Sequence, residues 1–137
     1  MHQGFYYLAI PYQGTEEQQE ARTELSFTAA TECLRQGIHL FAPLIYVNKI
    51  ADRLGLNLEQ RRDIVMPYLL DFLKVSKGLL LVTADGWKTS WGVKQELLCC
   101  VEHSIPVFKI APEQLYEELT PLLEVPLNQQ ALKDLLG

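Results

Sequence analysis

Residues Gly78 to Thr83 (GLLLVT) run almost without a polar side chain. A strand with one solvated face alternates apolar and polar residues, whereas an unbroken aliphatic run must be covered on both faces. Helices on either side of a parallel sheet supply that cover, because parallel strands need crossover connections that lie against the sheet. This run is therefore read as the central strand of an α/β fold.

The rest of the chain agrees with it. Phe5 to Ile10 (FYYLAI) reads as a buried first strand stopped by Pro11. Thr15, with Gln18 three residues on, opens a helix that carries Leu25, Ala29 and Cys33 at helical spacing and stops at Gly37. Ile38 to Ala42 (IHLFA) is a second strand ended by Pro43. A short helix is expected from Val47 to Leu54, then one from Glu59 to Lys74 that Pro67 should kink or restart. After the central strand come a loop, a helix from Gly92 to about His103, and a fourth strand, Ile105 to Ile110. From Pro112 onward two short Leu-rich helical segments are broken around Pro126. Strands alternating with helices predict a small Rossmann-like three-layer α/β domain with a four- to five-stranded, mostly parallel sheet. A single domain spans 1–137, with its core at about 5–110 and a helical C-terminal extension over 111–137.

Charge and cysteine usage narrow the function classes. The net charge is −5 with no basic run to offset it, which argues against nucleic acid as a partner. The apolar stretch Gly78 to Ala84 is too short to span a bilayer, so no membrane partner is expected. The N-terminus shows no basic n-region or cleavage site, so no secretory leader is expected. Cys33, Cys99 and Cys100 have neither metal-ligand nor disulfide spacing and read as small core hydrophobes. A reducing, cytoplasmic location follows, with no metal and no other cofactor.

Ligands of such sheets bind outside the carboxyl ends of the strands. Those ends are Ala9–Tyr12, Ala42–Ile45, Thr83–Trp91 and Ile110. One of them opens the segment from Gly86 to Glu96 (GWKTSWGVKQE), a small-residue loop running into a helix. Backbone N–H groups and the positive helix end converge there, which suits an anion. Glu96 falls about a turn inside that helix; a glutamate so placed is favoured by the dipole alone, but beside an anion site it can attack an anomeric carbon. Ser90 reads equally as the helix N-cap and as a phosphate or sugar contact. Trp87 and Trp91 are either apolar plugs or a stacking surface for a base. Tyr6, Tyr7 and Tyr12 cluster at the end of the first strand, and Asp71 lies between apolar positions on the helix leading to the central strand. Asp85 reads as a turn residue; Arg22 and the Arg61-Arg62 pair read as surface charge able to meet a phosphate.

Tyr7-Leu8-Ala9-Ile10-Pro11-Tyr12, Arg22, Phe41-Ala42-Pro43-Leu44 and the Gly-Trp-x-x-Ser-x-Gly-Val-x-x-Glu pattern from Gly86 to Glu96 occur in order over roughly residues 5 to 110. Together they resemble an uncharacterised family related to nucleoside 2-deoxyribosyltransferases. The resemblance implies Glu96 as nucleophile, Tyr7 as its positioning partner and Ser90 with Gly92 as the phosphate contact. It implies Asp71 as proton donor to the departing base, although Asp71 stands about two residues out of register with the pattern. Pro11, Tyr12, Arg22, Trp87 and Trp91 complete the implied substrate-binding set. It further implies a homodimer or higher homo-oligomer, for which the Leu-rich C-terminal segments are candidates.

The expected activity is cleavage or exchange of the N-glycosidic bond of a nucleoside or nucleoside 5′-monophosphate. The alternatives are a nucleotide-binding module without chemistry and an interaction domain that presents its tryptophans to a protein partner.

Overall fold

The structure is a computed structural model that describes residues 4–137. Four strands, β1 (Tyr6–Ala9), β2 (Leu40–Phe41), β3 (Gly78–Val82) and β4 (Val107–Ile110), form one all-parallel sheet in the order β2-β1-β3-β4. The architecture is α/β and Rossmann-like, with four strands rather than five. β3 is buried at every position, as its unbroken aliphatic sequence requires. Each such side chain contributes about 1.5–3 kcal/mol relative to an exposed one.

Strand register sorts the core into two clusters. Tyr7, Leu79 and Val107 form one cross-sheet row, and Leu8, Leu80 and Phe108 form the next. The first row faces a cluster built with Leu73, Leu97 and Cys100, and the second faces one built with Ala29, Cys33 and Leu115. Helix α1 (Glu16–Arg35) covers the second face, while α2 (Val47–Leu54), α4 (Met66–Lys74), α5 (Trp91–His103) and α6 (Gln129–Leu136) cover the first. All three cysteines are free and buried, and burial pushes their thiols up, as core packing requires.

Three segments differ from expectation. The second strand holds its ladder only at Leu40 and Phe41, an edge pairing to β1 alone. The helix before β3 restarts at Pro67 as expected, but by a route the sequence did not show. A short α3 (Leu58–Gln60) passes into a π-helical turn, Arg61–Val65, and α4 begins one residue before the proline. Within that wide turn the Met66 N–H reaches the Arg61 carbonyl five residues back. A wider ring just ahead of Pro67 is one way to carry a helix past a residue that lacks an N–H. The C-terminal stretch supplies two 3-10 turns, Pro112–Tyr116 and Leu122–Glu124, before α6.

That stretch is not a free appendage. Leu115, Leu119 and Leu132 are buried in the chain's own core, and the Leu127 N–H donates to the Val107 carbonyl at 2.8 Å along the outer edge of β4. Gln36 at the end of α1 pins it further, donating to the Glu117 carbonyl and accepting from the Leu119 N–H. These three leucines belong to the chain's own core, and the Leu127 bond covers part of a sheet edge that would otherwise be open. Among the described residues no helix is long and apolar enough to cross a membrane.

Candidate active site

From β1 the chain crosses to β2 on one side; from β2 it returns over β1 to β3 and continues to β4 on the other. The reversal lies between β1 and β3, so a crevice opens outside their carboxyl ends. A cavity of ≈ 450 Å³ occupies it. That volume suits a small organic ligand.

The β3 side is built by a tight turn and a helix start. Gly86 has φ +86°, the left-handed region, and a Cβ there would lie 2.9 Å from Arg22 Nη2. Both facts demand glycine. A 3-10 turn, Trp87–Thr89, leads to Ser90, whose Oγ accepts from the Val93 N–H at 3.2 Å and caps α5. Trp91 and Gly92 then present first-turn N–H groups that have no acceptor among the described residues. One and a half turns further along, Glu96 is buried at the cavity wall.

Tyr7 meets Glu96 from β1. Alternation sends its side chain to the face that α5 covers, and its hydroxyl donates to Glu96 Oε2. Its ring lies 5.7 Å from that of Phe41, which stacks on Phe72 at 4.5 Å, so an aromatic column fixes the hydroxyl. Burial pushes the Glu96 carboxyl up to about 8, while the Tyr7 hydrogen bond pulls the other way by favouring the anion. Burial and the neighbouring carboxylate hold the Tyr7 hydroxyl well above its ordinary range, so it remains a donor.

Arg22 ties the two rims together. Its guanidinium donates to the carbonyls of Tyr12 (3.3 Å), Gln13 (2.7 Å) and Asp85 (2.7 Å), the loops that follow β1 and β3. It is 8 % exposed and has no carboxylate partner among the described residues. The reading of Arg22 as surface charge is corrected: it is a buried clamp whose charge stays unneutralised beside the cavity. The opposite wall comes from α2 and the π turn, through Asn48, Arg61 and Arg62. Arg62 lies over the Trp91 ring at 4.6 Å. Arg61 is held by the Leu56 carbonyl and Asp52.

The cavity thus brings together Glu96, Ser90, Gly92, Trp91, Pro11, Tyr12 and Arg22, with Tyr7 behind Glu96. Two expected members are elsewhere. Trp87 packs against the core with the Lys88 and Lys109 ammonium groups over its ring, and does not line the cavity. Asp71 is exposed on α4. Leu69, two residues earlier, faces the cavity, and two helical residues stand about 200° apart, so Asp71 points away from it. Asp85, in contrast, lines the cavity from the loop after β3.

Asn48 and Arg61 were not singled out as contacts from sequence beyond a possible phosphate role for the arginine. Asn48 looks like any polar residue of a short helix until the fold folds that helix over the crevice. Among the described residues no group of three or more His, Cys, Asp or Glu side chains could hold a metal ion. The arrangement offers a buried carboxyl that can attack or exchange a proton, and an electropositive rim that can hold an anion beside it. Compared with known proteins, the chain matches no family model and no curated protein.

Proposed function

We propose that the protein cleaves or exchanges the N-glycosidic bond of a nucleoside or nucleoside 5′-monophosphate, with Glu96 as nucleophile. The observation that carries the reading is the buried Tyr7–Glu96 hydrogen bond in the wall of the crevice between β1 and β3, next to the α5 N-terminus. In this scheme the ligand's phosphate or 5′-hydroxyl lies at Ser90 and the free Trp91 and Gly92 N–H groups. The anomeric carbon lies at Glu96. A carboxylate oxygen forms a bond to that carbon as the C–N bond breaks, and the electron pair leaves on the base nitrogen, which takes up a proton. Water, or a nitrogen of a second base, then attacks the same carbon, displaces the Glu96 carboxylate and loses a proton. Tyr7 is a positioning residue whose hydroxyl favours the anionic carboxylate.

The proton donor changes from the expected one. Asp71 does not reach the cavity, and the other carboxylate that lines it is Asp85, on the loop after β3. Asp85 is exposed, so the departing base is protonated from the open, solvated side of the crevice. The reading carries a homodimer with it; Ile50 and Leu54 on α2, with Tyr46 at its N-cap, are exposed apolar side chains able to bury in one. A cytoplasmic setting, where nucleotides are plentiful, belongs to the same proposal.

One observation favours the non-catalytic alternative. A carboxyl titrating at about 8 is mostly neutral at pH 7, which suits a binding module better than a nucleophile. Incubation with nucleosides and 5′-monophosphates, followed by chromatography for free base, separates the two. Release by the wild type and none by Glu96→Gln supports glycosyl cleavage. Tight binding without release in the wild type supports the module.

A further inference from the structure

Asn48 is a polar residue that the fold has left without a partner. It sits on the second residue of α2, is 9 % exposed, lines the crevice, and its side-chain amide makes no hydrogen bond within the protein. Its amide atoms are not enclosed by protein, so they open onto the crevice with donor and acceptor free for a ligand. One helical turn on, Asp52 stands on the same side of α2 and holds Arg61 Nη2, while the Arg61 Nε donates to the Leu56 carbonyl. Those two anchors leave Arg61 Nη1 buried without an acceptor, the one such side-chain atom among the described residues. An amide open to the crevice and an enclosed guanidinium nitrogen without an acceptor therefore share one wall of one cavity, the arginine tied to α2 through Asp52.

Their place in the sheet says which part of a ligand they meet. α2 follows β2, and α5 follows β3, on opposite sides of β1. A ligand with its phosphate at the α5 N-terminus and its anomeric carbon at Glu96 extends its base toward α2. An asparagine amide offers a donor beside an acceptor, and Arg61 adds a donor. We infer that Asn48, backed by Arg61, reads the edge of the base, and that it selects bases carrying a carbonyl next to a ring N–H (a lactam edge). Asn48 Oδ1 accepts from the ring N–H, and Nδ2 with the arginine donates to the carbonyl. This rests on the crevice being a nucleotide site, as proposed above, and adds which bases it takes.

Equilibrium binding, by calorimetry, of inosine, guanosine, uridine, adenosine and cytidine 5′-monophosphates and of ribose 5-phosphate tests it on Glu96→Gln protein, so that no turnover intervenes. The inference expects the three lactam nucleotides to bind tighter than the adenosine and cytidine monophosphates, whose ring nitrogen accepts beside an amino group. It also expects Asn48→Leu to weaken the lactam nucleotides about 10- to 100-fold, and ribose 5-phosphate not at all. Asn48→Ala, which adds no bulk, should act in the same direction, and neither variant should lower the melting temperature. Unchanged nucleotide affinity in both variants, equal loss for ribose 5-phosphate, or a preference for adenosine and cytidine monophosphates overturns the inference while leaving the nucleotide site intact. Failure of every probe to bind the unsubstituted Asn48 protein overturns the site and the inference together.

Discussion

A buried carboxyl stays neutral unless donors compensate the anion, and Glu96 receives such a bond from Tyr7. Catalysis by this pair needs the ionised form, so kcat/KM should rise about tenfold per pH unit up to about 8 and level off above it. Tyr7→Phe removes the donor and keeps the ring against Phe41. It should lower kcat/KM about 10- to 100-fold and move the rise to higher pH, because the bond that favours the anion is gone. A uniform loss with an unmoved pH profile would show instead that Tyr7 only packs. The Tyr7–Glu96 pairing was legible as a resemblance but not from spacing, since 89 residues separate the partners. Asp71 misled because its helix turns it to solvent, a direction its apolar flanks did not reveal.

Among the elements, the rim of the crevice depends on Arg22 reaching across from α1 to loops after two different strands. Its removal strands three carbonyls and a close-packed gap. Arg22→Leu should therefore cost roughly 2–4 kcal/mol in urea unfolding. Gly86→Ala should cost about 1–2 kcal/mol, since it meets both the +86° φ and the guanidinium. The double variant should fall short of the sum, because both changes strike one contact; strict additivity would mean that Arg22 and Gly86 act separately. Local chemistry announced the elements themselves well. The Thr15 and Ser90 caps and the aliphatic β3 run stand where composition puts them. The two-residue β2 and the π turn were not legible, because edge pairing and the route of a helix past Pro67 are decided by neighbours distant in sequence. Arg22 shows the same limit, as its three acceptors lie up to 63 residues away.

At the scale of the whole molecule, the buried carboxyl sets how stability varies with pH. Glu96 titrates at about 8 in the folded chain and near 4.5 when unfolded. A raised folded value gives stability that is full below the unfolded value and is lost as pH climbs through the folded one. Glu96→Gln has no such dependence. The wild type and the variant should melt together near pH 5, with the variant gaining progressively to about pH 8 and holding its lead beyond. A gap that stays constant with pH would place the carboxylate in water. The same trade-off, a destabilising acid kept at a crevice wall, is expected of a working site rather than of a packing residue. The arrangement of sheet and helices was foreseeable from the strand–helix alternation, whereas the wall formed by Asn48 and Arg61 emerged only once α2 lay across the crevice.

The nucleophile assignment is tested most directly by intact-mass and peptide-mapping mass spectrometry of protein quenched in acid during reaction with a nucleoside 5′-monophosphate. The account predicts a mass increase equal to one sugar phosphate, confined to the peptide containing Glu96 and absent from Glu96→Gln. Release of free base with that peptide unmodified at every quench time, or with Glu96→Gln as active as the wild type, would contradict it.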